Sequence, residues 1–324
     1  MSARTTVSVV LPPGSAEAAL VRDVRRGLGA PPLTLPPKWL YDDEGSRLFD
    51  QITRLPEYYP TEAEREVLLA RADEVARRSG ATTLVELGSG TSDKTHALLR
   101  AFKAAGQLRR FVPVDVSEAT LREAAEQVAA MYDVAVEAVV GDFTLHLSHL
   151  PRDDRKLVAF LGGTIGNLYI EERNAFLGAL ADSLEPGDGL LLGTDLVKDA
   201  DRLIAAYDDP EGVTDRFVRN GLRVLNRELG ADFDLGGFTY VPFWDPHLKR
   251  MDLRLRAETP MHVTIPDAGI ELHLHSGEEI RMEISTKFTI AGIRDELDAV
   301  GLTLVETWTD TAGEFAVTLA RKEG

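Results

Sequence analysis

The chain has 324 residues, 44% of them apolar and 27% charged, a globular composition with length enough for one large or two modest domains. It has no cysteine, which excludes disulfides, a thiol nucleophile and thiolate metal sites, and its net charge of −17 weighs against nucleic acid and other polyanions. No apolar run approaches the roughly 18 residues that span a bilayer. A cytoplasmic protein acting on a small molecule is therefore expected, taken as a monomer with no nucleic-acid or membrane partner.

Taken in chain order, "VSVVL" (7–11) is too short for a signal-peptide core. Ala19, Leu20, Val24 and Leu28 stand at helical spacing within 16–29. Pro31-Pro32 and Pro36-Pro37 then enforce an extended connector. Thr61 and Glu64 read as a capping box, opening a helix that runs to Ser79 and closes at Gly80. From Leu84 short apolar strands alternate with helices: "TLVELG", "RRFVPVDV", "AVEAVVGDF", "KLVAFLGG" and "GLLLGTDL". A helix over 170–184, stopped by Pro186-Gly187, separates the last two. This alternation predicts a parallel sheet covered on both faces.

Residues 199–229 read as one helical region, followed by "MDLRLRA", "IELHLH" and "IRMEISTKF", whose period-two alternation predicts an antiparallel sheet with one solvated or pocket-lining face. The chain then returns to the core through a helix over 290–300 and the strands "LTLVETWTD" and "EFAVTLARK". His273 and His275 point one way, but with no third ligand in view they read as ordinary strand residues, and no metal is expected.

The stretch "LVELGSGTSDKT" (84–95) ends a strand in a glycine loop. A dinucleotide fingerprint needs a third glycine where Asp93 stands, and the Walker pattern is absent. What remains is the acidic, apolar, Gly-x-Gly loop that resembles S-adenosylmethionine (SAM) methyltransferases. Asp115 ends the second strand, 25 residues after Gly90, where an acid can accept from both ribose hydroxyls. Asp142-Phe143 ends the third, where an acid can take an adenine amino group and a ring can stack.

Further stretches make the resemblance specific. "PPKWLYDDEGSRLFDQITRLPEYYPTEAE", "FLGGTIGNL", "LLGTDLVKD", "AYDD" and "NRELGADFDL", with the loop, make 17–322 similar to the histidine-specific Nα-methyltransferases of ergothioneine biosynthesis. The resemblance implies an α/β class I SAM methyltransferase fold, Rossmann-like, with a seven-stranded mostly parallel sheet and a smaller α+β lobe. It places the SAM-binding domain in 61–196 and 288–324 and the substrate lobe in 1–60 and 197–287. It gives SAM to Gly88, Lys94, Asp115, Asp142, Phe143 and Gly162. The substrate carboxylate falls to Tyr58 and Tyr207, the α-amine to Asn167, and the imidazole to Glu283 and Ser285. Tyr41 and Phe49 line the pocket, Tyr41 acting with Asn167 in catalysis, and Leu253 stands where the family usually has methionine. The implied reaction is trimethylation of L-histidine to hercynine.

Residue chemistry alone leaves alternatives. Glu283 and Ser285 also suit the solvated face of an amphipathic strand, alongside Arg281 and Lys287. An α-N-methyltransferase for tryptophan or tyrosine is a second reading, although indole and phenol offer less to Glu283. A catalytically silent SAM-binding module is a third, and an NAD oxidoreductase, undermined by Asp93, a distant fourth.

Overall fold

A computed structural model describes residues 5–12, 14–89 and 94–324. Gly90 and Asp93, which carry part of the loop reading, lie outside the described residues. The chain divides into two compact units. The first comprises Met1–Pro12, Pro60–Val197 and Phe288–Gly324; the second comprises Pro13–Tyr59 and Lys198–Lys287.

Followed from its N-terminus, the chain forms strand β1 (Thr5–Val9) in the first unit, then helices α1 (Ser15–Leu28) and α2 (Asp43–Ile52) in the second. It re-enters the first unit with α3 (Pro60–Ser79), β2 (Thr83–Leu87), α4 (His96–Ala104), β3 (Arg110–Asp115), α5 (Glu118–Tyr132) and β4 (Ala135–Val140). β5 (Lys156–Phe160), α6 (Ile170–Ser183) and β6 (Gly189–Asp195) continue it. The second unit resumes with α7 (Ala200–Tyr207), α8 (Val213–Leu229), β7 (Phe238–Asp245) and β8 (Arg250–Ala257). β9 (Met261–Ile265), β10 (Ile270–Leu274) and β11 (Glu279–Thr286) complete it. α9 (Ile290–Asp298), β12 (Leu302–Thr309) and β13 (Phe315–Lys322) close the first.

The first unit holds one eight-stranded sheet in the order β1-β4-β3-β2-β5-β6-β13-β12. Every residue of β2, β5 and β6 is buried, the signature of parallel strands covered on both faces. From β2 the chain steps outward through β3 and β4, then restarts at β5 on the other side. The topological switch point, where such sheets bind ligands, therefore lies between β2 and β5. β13 enters antiparallel beside β6, and β12 pairs antiparallel with it at the edge.

Three details differ from the sequence reading. The sheet has eight strands because Thr5–Val9 pairs in parallel with β4, which puts the chain's start in the first unit and not in the lobe. A five-residue strand gives too short a run for alternation to reveal. Residues 199–229 form two helices, interrupted where Asp209 turns its carboxylate onto the backbone N–H groups of Val213 (2.7 Å) and Thr214 (2.8 Å) and so starts α8. Glu64 is not a cap: α3 already begins at Pro60, and its fifth residue is wholly buried.

The second unit carries a three-stranded antiparallel sheet, β11-β8-β7, and a separate β9–β10 pair. α1 buries Leu20, Val24 and Leu28, the stripe its spacing predicts. One irregularity controls the chemistry. Arg281 pairs with Arg254 and Glu283 with Leu253, so a β-bulge absorbs Met282. Strict alternation would put Arg281, Glu283 and Ser285 on one face. The extra residue instead turns Glu283 and Ser285 to the face of Leu253 and Met251, opposite which they pair. Arg281 stays on the other face, where it joins Arg250 and Arg254 around the buried Asp252 carboxylate at 2.9, 2.7 and 2.6 Å.

Candidate active site

In the first unit Asp115 is the last residue of β3, and Gly88, Asp142 and Gly162 stand just past the carboxyl ends of its neighbours in the sheet, β2, β4 and β5. Gly88 has φ of +70°, and a Cβ there would lie 3.6 Å from the Phe143 ring. Phe143 leans on Phe160 and Phe176 at centroid distances of 5.2 and 6.0 Å, which fixes its position at the core's rim. Asp115 accepts from the Ser117 N–H at 3.0 Å and Asp142 from the Thr144 N–H at 2.9 Å, so both carboxylates are held by the turns that follow their strands. Glu86, buried at the end of β2, accepts from the hydroxyls of Ser89 and Thr95, tying the two sides of the glycine loop together.

Sequence reasoning misassigned Glu64. Its carboxylate accepts from the Gly162 N–H at 2.7 Å and pairs with the Lys94 ammonium at 2.8 Å. A Cβ on Gly162 would sit 3.4 Å from that same ammonium. Lys94 and Gly162 are thus brought together, with Glu64 as the link. Asn167 lies in the one-turn helix Thr164–Asn167 after β5, half-buried.

In the second unit Tyr41, Phe49, Tyr58 and Tyr207 form a run of rings. Tyr41 meets Phe49 at 5.4 Å, Phe49 meets Tyr58 at 6.2 Å, and Tyr58 meets Tyr207 at 6.1 Å between centroids, all edge-to-face. Phe217 of α8 backs Tyr41 at 5.1 Å. Burial, and then the Glu283 carboxylate, push the Tyr41 and Tyr240 phenols well above the usual range. Those phenols are therefore neutral hydrogen-bonding groups at ordinary pH.

Glu283 is buried, and its Oε2 has no hydrogen-bond partner among the described residues. Burial pushes its carboxyl up to about 7, against the pull of the Lys287 ammonium. Ser285 accepts from Tyr207 Oη at 2.9 Å, and Leu253 lies directly across the ladder from Glu283. The solvated-strand alternative for Glu283 and Ser285 thus does not hold. Lys287, set beside Arg281 on that imagined face, is instead 2% exposed.

Sequence reasoning missed Phe217, Tyr240, Glu64 and Lys287. Of these only Lys287 had a signal, as the third member of the spacing 283, 285, 287. The histidine pair also came out differently. His273 stands across from His262, with Glu271 beside them, their potential ligand atoms within 4.8 Å of one another. All three are exposed, and His262 Nε2 stands 3.7 Å from Glu271 Oε2, a surface contact that is an ion pair only when the imidazole is protonated.

A sheet switching at β2 and β5, glycines and acids at the carboxyl ends of four adjacent strands, and an antiparallel β12–β13 finish define a class I SAM-dependent methyltransferase. Within that class the chain belongs to the histidine-specific, SAM-dependent methyltransferase family, whose model matches residues 20–322. It is 52% identical over 307 residues to the histidine N-alpha-methyltransferase of Mycolicibacterium smegmatis, covering 94% of this chain and 96% of that one. It is 51% identical over 320 residues to the protein of the same name in Mycobacterium tuberculosis, covering 98% and 100%. Ergothioneine biosynthesis protein 1 of Schizosaccharomyces pombe is 30% identical over 302 residues, which is 89% of this chain and 39% of that protein. Among the described residues no helix is long and apolar enough to cross a membrane.

Proposed function

We propose that this enzyme transfers three methyl groups in succession from SAM to the α-amine of L-histidine, giving hercynine in ergothioneine biosynthesis, as a cytoplasmic monomer. The observation that carries the reading is the buried Glu283 carboxylate, one oxygen of which has no partner among the described residues, beside Ser285 and facing the Tyr41 and Tyr240 phenols. An unpaired buried carboxylate oxygen costs the fold free energy unless a ligand donates to it, and an imidazole N–H is such a donor. Residues 61–196 and 288–324 would bind SAM, and 14–60 with 197–287 the amino acid.

The cofactor fits the first unit's donors and acceptors. Acids at the ends of β3 and β4 suit ribose hydroxyls and an adenine amine, Phe143 gives a ring to stack on, and Gly88 and Gly162 leave backbone open to close approach. Glu64, by holding Lys94 and Gly162, orients two of these positions. SAM supplies an electrophilic methyl on a sulfonium. Tyr58 would donate to the substrate carboxylate; Tyr207, to which the resemblance gives the same role, commits its one phenolic proton to Ser285 and would only border that carboxylate. Asn167 would accept an amine N–H through its amide oxygen, which leaves the lone pair for attack. Transfer is an in-line displacement, so this positioning does most of the catalysis. The product gains permanent positive charge, which aromatic rings such as Tyr41 and Phe49 accommodate. The amine's protons pass to water.

An α-N-methyltransferase for tryptophan or tyrosine would leave Glu283 and Ser285 poorly matched. The test is mass spectrometry of the twenty amino acids incubated together with SAM and the enzyme. Histidine alone should gain three methyl groups. Methylation of another amino acid would overturn the ring-site assignment, and none at all, with SAM bound, would leave a silent SAM-binding module.

A further inference from the structure

We infer that Lys287 is a positioning residue that fixes Ser285 as a hydrogen-bond donor into the ring site, so that Ser285 and Glu283 present one donor and one acceptor to a heteroaromatic ring. The inference rests on the reading of Glu283 and Ser285 as the ring-binding pair.

Lys287 Nζ lies 2.8 Å from Tyr207 Oη and 2.8 Å from Ser285 Oγ, and Tyr207 Oη lies 2.9 Å from Ser285 Oγ. An ammonium has three protons and no lone pair, so both of its contacts are donations. Both hydroxyls accept from the ammonium, but a phenol is more acidic than an aliphatic hydroxyl and is the stronger donor of the two, so Tyr207 donates to Ser285. The serine oxygen then receives two protons and its lone pairs are spent. Its own proton has to leave the triangle.

Two residues earlier on the same face stands Glu283, whose Oε2 accepts from no described group. One donor and one acceptor match a neutral imidazole, which has one N–H and one bare nitrogen. An indole offers only the N–H, and an imidazolium offers two. Lys287 thus writes the polarity of the site without touching the ring. Among the described residues the Lys287 ammonium and the Tyr41 and Tyr240 phenols face Glu283, with Tyr58 and Tyr207 next to Tyr41 and Asp208 and Asp215 next to Tyr240. Lys287 is the cation among them.

The test is steady-state kinetics on Lys287→Met, which keeps the volume and removes the donors. KM for histidine should rise about tenfold or more while KM for SAM stays within about twofold. The acid limb of kcat/KM should move to higher pH, because Glu283 loses its neighbouring cation. In a Ser285→Ala background the same change should raise KM for histidine by no more than about twofold, the hydroxyl it orients being gone. Lys287→Gln, which still donates, should fall between wild type and Lys287→Met. An unchanged histidine KM, a parallel rise in both KM values, or a full effect in the Ser285→Ala background would overturn the role. Glu283→Gln separates this from the underlying reading. If Glu283→Gln raises KM for histidine and Lys287→Met does not, only the role of Lys287 falls. If Glu283→Gln also leaves that KM unchanged, the ring-site reading falls and takes this inference with it.

Discussion

Burial raises the Glu283 carboxyl from an ordinary 4.5 to about 7. Between those values the folded chain keeps a proton that the unfolded chain has lost. Stability from this group is therefore fully present below about 4.5 and declines as pH rises through about 7. On the proposed ring-site reading, histidine binding would run the other way, since only the ionised carboxylate accepts a ring N–H without a competing proton. For Glu283→Gln we expect the unfolding free energy at pH 8 to exceed wild type's by up to about 3 kcal/mol, with the gain vanishing near pH 4.5. The same variant should lose the acid limb of kcat/KM for histidine. Thermal melts and kinetics across pH 5 to 9 would check both, and a variant no more stable than wild type at pH 8 would contradict the buried-charge account. At this scale the resemblance singled out Tyr41, Tyr58, Tyr207 and Glu283, and the structure puts the three tyrosines in one run of rings and buries Glu283; Tyr240 and Phe217 were not singled out, because a lone aromatic in a strand or helix is indistinguishable from core.

Gly193 shows how one element makes room for another. A Cβ on this β6 residue would stand 2.2 Å from Glu64 Oε1 and 3.3 Å from the Phe315 ring. The wholly buried Glu64 of α3 reaches Gly162 and Lys94 only because β6 is bare at this point. Gly193→Ala has to push the carboxylate aside. It should cost about 1–3 kcal/mol of stability and raise KM for SAM by tenfold or so, with KM for histidine little changed. Chemical denaturation and initial-rate kinetics would measure these, and an unaltered SAM KM would remove Glu64 from the cofactor site. Element types were largely legible in the sequence: the five parallel strands, the final antiparallel pair and the lobe's alternating strands all form close to their expected positions. Elements that depend on distant partners were not. β1 becomes a strand only because β4 offers an edge, and Glu64 mimics a cap while serving a glycine nearly a hundred positions on. The bulge at Met282 leaves no mark in a pattern that reads as unbroken alternation.

At the scale of the whole molecule, the second unit's longer segment leaves and re-enters the first at a single place. Val197 N–H donates to Phe288 O at 2.9 Å, and Phe288 N–H donates to Asp195 O at 2.8 Å, so the chain ends flanking 198–287 are clamped side by side at the end of β6. A parallel sheet tolerates so long an insertion because the cost of closing a loop grows only logarithmically with its length. Each unit has its own buried core, so local opening should be governed unit by unit. Ligands then have separable signatures in hydrogen exchange, since binding stabilises the region it touches by RT ln(1 + [L]/Kd), about 2.7 kcal/mol at a hundredfold excess over Kd. S-Adenosylhomocysteine, added alone as an unreactive cofactor mimic, should slow exchange past the ends of β2 to β5, around 88, 115, 142 and 162. Histidine should slow it over 41–58, around 207 and along 281–287, where wall residues and the Glu283–Ser285–Lys287 face lie. Protection by histidine confined to the β9–β10 hairpin, or absent from 281–287, would move the amino-acid site away from β11 and detach Glu283 from the reaction.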